Sequence, residues 1–157
     1  MRGLIHQINI SPGGVPKAPI ASGEVTVNGM VGDGHNDRVH HGGPDAALCL
    51  FSLEVIQEMQ REGHPIFPGA AGENLTITGL DWSVVVPGSR WRLGEKVEIE
   101  VTKFTMPCQK NAGWFTDGEF MRMHQGWYPG SSRVYARVLT PGRIRPGDTV
   151  APLDPGP

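Results

Sequence analysis

Short apolar runs, most of them closed by glycine or proline, set the limits on what this chain can fold into. "GLIHQINI" (3–10) alternates apolar and polar residues and stops at "SPGG"; "GEVTVNGM" (23–30) repeats the pattern and stops at "GDG". Alternation with period two places successive side chains on opposite faces of a strand. "AALCLFSL" (46–53) is a continuous apolar run and reads as a buried strand. "ENLTITGLDW", "GSRWRLGEKVEIEVTKF" with its "LGE" turn, "SRVYARVL" and "GRIRPGDTVAPL" add further short strands between turn residues. One good helix interrupts them. In "SLEVIQEMQREGHP", Ser52 is placed to cap, Leu53, Ile56 and Met59 share a face, and Gly63 with Pro65 ends the segment. "DGEFMRMHQG" reads as a second, shorter helix. The chain holds 22 glycines and 14 prolines among 157 residues, below the roughly 25–30% at which such content signals disorder, so these residues mark tight turns in a folded domain. The expected fold is mostly β (α+β): a closed or partly closed β-barrel with one or two flanking helices, formed by one domain over residues 1–152, with 153–157 as a flexible tail.

A net charge of −2 and a pI near 6.3 leave no overall basic surface to neutralise a nucleic-acid backbone or an anionic membrane. The N-terminal stretch lacks the pattern of a secretory signal, and no run approaches the ~18 apolar residues of a membrane span. The expected location is cytoplasmic, where the two cysteines are free thiols. They differ in setting. Cys49 lies inside "ALCLF" and reads as a small buried hydrophobe. Cys108 follows Pro107 at the end of a strand spanning roughly Lys96 to Thr105, on which Val97, Ile99, Val101 and Lys103 share a face. Proline donates nothing to a sheet ladder, so pairing stops there and Cys108 enters a loop. Lys103 and Lys110 are near in sequence, and a cation favours the thiolate that acts as nucleophile or soft metal ligand. Local sequence alone leaves Cys108 open between packing and chemistry.

"VGDGHNDRVHHGGPDAA" (31–47) is too polar and too rich in turn residues for a core segment. Three readings compete. A zinc site would need His35, His40, His41 and Asp37 to converge, yet adjacent residues of an extended chain point to opposite faces. An anion site would use Arg38 as a planar fork and the amides at Gly42 and Gly43 as donors. A rigid loop would bond only to itself. In "PGAAGENLTITGLDW", Glu73 and Asn74 present a carboxylate and an amide just before a strand; alone, they read as turn residues.

These stretches together resemble the MOSC domain, the family named after the C-terminal domain of molybdenum cofactor sulfurases. The resemblance rests on "GDGHNDRVHHGGPDAALCLFS", "GAAGENLTITGLDW", "PGSRWRLGEKVEIEVTKFTMPCQKN" and "GWYPGSSRVYARVLTPGRIRPGDTV", which occur in family order over roughly residues 4–150. It implies one pocket at one end of the barrel, with Cys108 as catalytic residue and as the protein ligand to the molybdenum of a bound molybdenum cofactor. It also implies a pocket wall of Arg38, His41, Gly42, Gly43, Asp45, Glu73, Asn74, Lys110 and Asn111. Two activities follow from the family. One is reduction of N-hydroxylated or N-oxygenated compounds with electrons from a separate flavin or iron–sulfur protein. The other needs no cofactor: a sulfur carrier holds a persulfide on Cys108, supplied by a pyridoxal-phosphate-dependent cysteine desulfurase. The chain ends soon after "RPGDTV" and carries no iron–sulfur cysteine set, so the expected electron source is a partner. Neither nucleic acid nor membrane is an expected partner.

Overall fold

The structure, a computed structural model, describes residues 2–34 and 43–153. In chain order its strands are β1 (Gly3–Ile10), β2 (Ala18–Ile20), β3 (Gly23–Thr26), β4 (Gly29–Met30), β5 (Leu48–Ser52), β6 (Leu75–Thr78), β7 (Arg90–Leu93), β8 (Val97–Phe104), β9 (Val134–Thr140), β10 (Gly142–Ile144) and β11 (Thr149–Pro152). The α-helix α1 (Leu53–Arg61) follows β5 directly. Short 3-10 segments occupy Pro44–Ala46, Trp82–Val84, Gln109–Trp114 and Phe120–Met123. No helix among the described residues is long and apolar enough to cross a membrane.

The strands run β11-β7-β8-β9-β5-β6-β1 around the sheet, and β11 pairs again with β1, closing a seven-strand barrel. β2 extends the edge of β1, and β10-β3-β4 form a separate small sheet. Neighbours in the barrel are antiparallel except β5 and β6. Parallel neighbours need a crossover, which α1 and the loop after it supply. The helix forms where expected: Ser52 Oγ accepts from the Val55 amide at 3.2 Å, and Gly63, at φ 97°, ends it. Val55, Ile56 and Met59 are its buried residues, while Leu53 is only half-buried. The inward faces of β8 and its neighbours fill the barrel, with Leu93, Val97, Ile99, Val101, Val134 and Ala136 fully buried. Burying such apolar side chains contributes about 1.5–3 kcal/mol each, which is the main force holding the barrel closed.

Three local expectations change. "GEVTVNGM" is two strands, because Thr26 and Gly29 pair across a two-residue loop and make β3 and β4 a hairpin. "DGEFMRMHQG" yields only the 3-10 turn Phe120–Met123, started by Glu119, whose carboxylate accepts from the Met121 amide. Lys103 does not share the face of Val97, Ile99 and Val101. A register shift between Val101 and Lys103 turns Lys103 outward, and its ammonium lies 5.4 Å from the centre of the Tyr135 ring.

Candidate functional site

Register brings the interesting loops together. Leu75, where β6 begins, and Val134, where β9 begins, both pair with Leu50 of β5, while β1 ends beside the start of β6 and β8 ends beside the start of β9. A cavity of about 80 Å³ opens beside this meeting point. Its lining includes Lys17 from the β1–β2 loop, Cys49 from β5, Asn74 ahead of β6, Cys108 and Lys110 after β8, and Arg133 ahead of β9.

Cys108 is half-buried on the cavity wall. Beyond the paired residues of β8 and β9 a further bond runs from the Thr105 amide to the Arg133 carbonyl at 2.9 Å, and Pro107 then removes a donor. Cys108 keeps extended backbone angles and its carbonyl accepts from the Asn111 amide at 2.9 Å, starting the turn Gln109–Trp114. Among the described residues its thiol has no hydrogen-bond partner. Lys110 is exposed beside it on the same wall. Asn111 is buried: its Nδ2 donates to the Ala71 carbonyl at 3.3 Å and its Oδ1 accepts from the Trp114 indole at 3.2 Å.

Asn74 binds the barrel strands together at the cavity. Its Oδ1 accepts from the Cys49 amide at 3.0 Å, and its Nδ2 donates to Asp33 Oδ2 at 2.8 Å and to the Asn9 carbonyl at 3.3 Å. Asp33 is in turn ion-paired to Lys17, with Nζ at 2.6 and 2.7 Å from its two oxygens. Glu73 is fully buried but stands behind the lining. Its Oε2 accepts from the Gly69 amide and the Thr76 hydroxyl at 3.0 and 2.9 Å, and its Oε1 has no partner. Burial pushes the Glu73 carboxyl above the usual range, more than the three hydrogen bonds and the Arg133 charge pull it down.

Gly43 and Asp45 are exposed, outside the lining. Asp45 instead reaches Arg137 at 3.3 Å on the barrel's outer face. Arg38, His41 and Gly42, and with them His35, Asp37 and His40 of the zinc reading, lie outside the described residues.

The structure adds Lys17, Arg133, Cys49 and Tyr135 to the site. Arg133 donates from Nη1 to the Ala71 carbonyl at 2.7 Å while its buried Nε has no acceptor. Cys49 is buried as expected, yet it lines the cavity; burial raises its thiol pKa, outweighing Arg133, so it stays protonated. Burial also raises the Tyr135 phenol, and the two thiols push the same way, so this wall keeps a neutral hydroxyl. Among the described residues no three His, Cys, Asp or Glu gather as a metal-binding group. Among the described residues the cavity wall thus brings together the half-buried Cys108 thiol, the cations Lys17, Lys110 and Arg133, and the amides of Asn74 and Asn111.

A closed barrel with such a thiol-bearing mouth defines the class, and comparison with known proteins agrees. The MOSC domain matches residues 37–151, and the chain belongs to that family. It is 36% identical over 146 residues to the uncharacterized protein YflK of Bacillus subtilis, covering 91% of this chain and 64% of that protein. It is 31% identical over 129 residues to protein YiiM of Escherichia coli, covering 76% of this chain and 54% of that one. A Gibberella moniliformis protein described as a reductase is 28% identical over 82% of this chain and 23% of its own length. Among solved structures, YiiM of Geobacillus stearothermophilus superposes with a TM-score of 0.73 at 27% identity, covering 98% of this chain and 76% of that one. The chain thus spans between half and two thirds of the length of its bacterial curated relatives.

Proposed function

We propose that this barrel binds the molybdenum cofactor through Cys108 and serves as a small reductase of N-hydroxylated or N-oxygenated compounds, drawing electrons from a flavin or iron–sulfur partner. The observation that carries the reading is the Cys108 thiol, unpartnered among the described residues and half-exposed in a cavity walled by cations and amides. Thiolates suit soft metals, and a lone protein thiol fits a metal whose other ligands arrive with the cofactor. Family membership and the reductase description of the fungal relative support the same reading.

The residues present fit the group. Cys108 would hold the metal, Lys110 and Arg133 would face its anionic part, and the Asn74–Asp33–Lys17 network would keep the wall rigid under the load. The cofactor, when bound, supplies two-electron cleavage of an N–O bond. The protein supplies orientation and the exclusion of water. Cys49 and Tyr135, both held protonated by burial, keep that wall neutral beside the charged groups.

Molybdenum and oxidised pterin are to be measured in protein expressed in a host that makes the cofactor. Near-stoichiometric amounts are expected, with molybdenum lost in Cys108→Ser. Absence of both from the natural protein would overturn the reading. The same free thiol supports a second one, a persulfide carrier fed by a pyridoxal-phosphate-dependent desulfurase, for which mass spectrometry would find added sulfur on Cys108.

A further inference from the structure

Two cations in the cavity are left over once the neighbours among the described residues are accounted for. Lys17 is neutralised by Asp33. Arg133, 4% exposed, is a permanent cation with no carboxylate at ion-pair distance among the described residues. Its protein partners are two carbonyls, Ala71 at 2.7 Å and Met106 at 3.5 Å, and its Nε has none. The buried Glu73 carboxyl feels its field but is driven toward the neutral form by burial and so does not cancel it. Lys110 adds a second cation on the same wall, also without a partner among the described residues. Buried charges are otherwise paired, because removing a cation from water without an opposite charge is costly. A buried fork with donors to spare, next to a free ammonium in a concave site, is complementary to a tetrahedral oxyanion.

We infer that Arg133 and Lys110 form an oxyanion subsite in the cavity beside Cys108, taking a phosphate-like group. The inference rests on reading this cavity as the ligand site and deepens the proposed function. It uses residues other than those of the Arg38–Gly43 stretch, and it makes the residue just before β9 a ligand-holding one. The oxyanion has two possible sources, the phosphate of the pterin cofactor or an anionic group on the substrate, and both present the same chemistry to Arg133.

The test begins with cofactor-free protein from a host unable to make the cofactor. Inorganic phosphate is titrated by calorimetry at constant ionic strength against the natural protein, Arg133→Gln, Lys110→Gln and, as a surface control, Arg143→Gln. Saturable binding at one site is expected, weakened at least tenfold by Arg133→Gln and about threefold by Lys110→Gln, and unchanged by Arg143→Gln. No saturable binding to the natural protein, or equal binding by Arg133→Gln, overturns the subsite. If Arg133→Gln does not fold, Arg133→Lys keeps the charge and removes the fork; weakened binding supports the subsite and undiminished binding overturns it. Repeating the titration on cofactor-loaded protein separates the sources: abolished phosphate binding assigns the subsite to the cofactor's phosphate, and retained binding assigns it to a substrate anion. Should the natural protein carry neither molybdenum nor pterin, the cofactor reading fails while the phosphate result stands by itself.

Discussion

Two arginines among the described residues are buried to nearly the same degree, 7% exposed at Arg122 and 4% at Arg133, and the protein treats them in opposite ways. Arg122 is saturated. Nε and Nη2 each lie 2.8 Å from an oxygen of Glu62, Nη1 donates to Ser131 at 2.9 Å, and the guanidinium sits 4.6 Å from the Tyr128 ring centre. These contacts tie the end of α1 to the turn Phe120–Met123, and Arg122 holds the Glu62 carboxyl below the usual range. Arg133 instead faces a cavity with two carbonyl contacts and an idle Nε. A cation whose donors are all satisfied by protein is a fastener, whereas one left partly unsatisfied beside a cavity calls for a further partner, which the proposed oxyanion would supply.

The sharpest way to break the comparison is to remove each charge. Arg122→Met should lower stability by about 2 kcal/mol, because it loses a bidentate pair that is partly screened by water on the Glu62 side. That corresponds to a fall of about 4–8 °C in Tm for a chain of this size. Arg133→Met in ligand-free protein should stay within about 1 kcal/mol of the natural stability, since it also removes an unpaired buried charge. Equal losses in thermal melts would erase the distinction. A smaller effect concerns Glu73, which stands behind the Arg133 side of the cavity. Its raised pKa means that, as pH rises above about 4.3, the unfolded chain gives up its proton before the native state does. The native state then binds more protons than the unfolded one, so this group's contribution is full at low pH and is lost as pH climbs through the folded value. Urea melts at pH 5 and pH 8 should show the natural protein losing more stability between them than Glu73→Gln; parallel losses would mean that Glu73 is already ionised when buried. The smallest effect belongs to Asp45→Ala. The carboxylate is 72% exposed and, among the described residues, ion-paired with half-exposed Arg137, so the change should be within about 0.5 kcal/mol and leave phosphate binding untouched.

The architecture was readable wherever the pattern is local. Alternation marked β1 and β8, Ser52 announced α1, and "LGE" marked the turn between β7 and β8. Lys103 went astray because a bulge reverses facing midway along β8, and a bulge leaves no residue signature in "VTKF". The Cys108 loop was legible because Pro107 must stop the ladder. Arg133 was not. In "SSRVYARVL" it occupies an ordinary place next to an alternating strand, and its buried partners, the Ala71 and Met106 carbonyls, come from segments far away in sequence. Lys17 was hidden in the same way, since its partner Asp33 lies sixteen residues on, across another strand pair. Asn74 and Asn111 were noticed for their amides. The folded chain has committed those amides to Cys49, Asp33, Ala71 and Trp114, contacts that no local window contains.

The barrel's closure bears on how the chain reaches this state. The joint between β1 and β11 aligns Gly3 with Val150 and Leu4 with Thr149, with the Ile5 amide and carbonyl bonded to Asp148 and Gly147. Each of these contacts joins residues more than a hundred positions apart, so the loop-closure entropy is paid almost in full before the joint returns any enthalpy. The β7–β8 hairpin, with partners only a few residues apart, carries no such burden. Folding should therefore proceed from the hairpin outward and finish at the β1–β11 joint, on the slow timescale of high-contact-order β proteins.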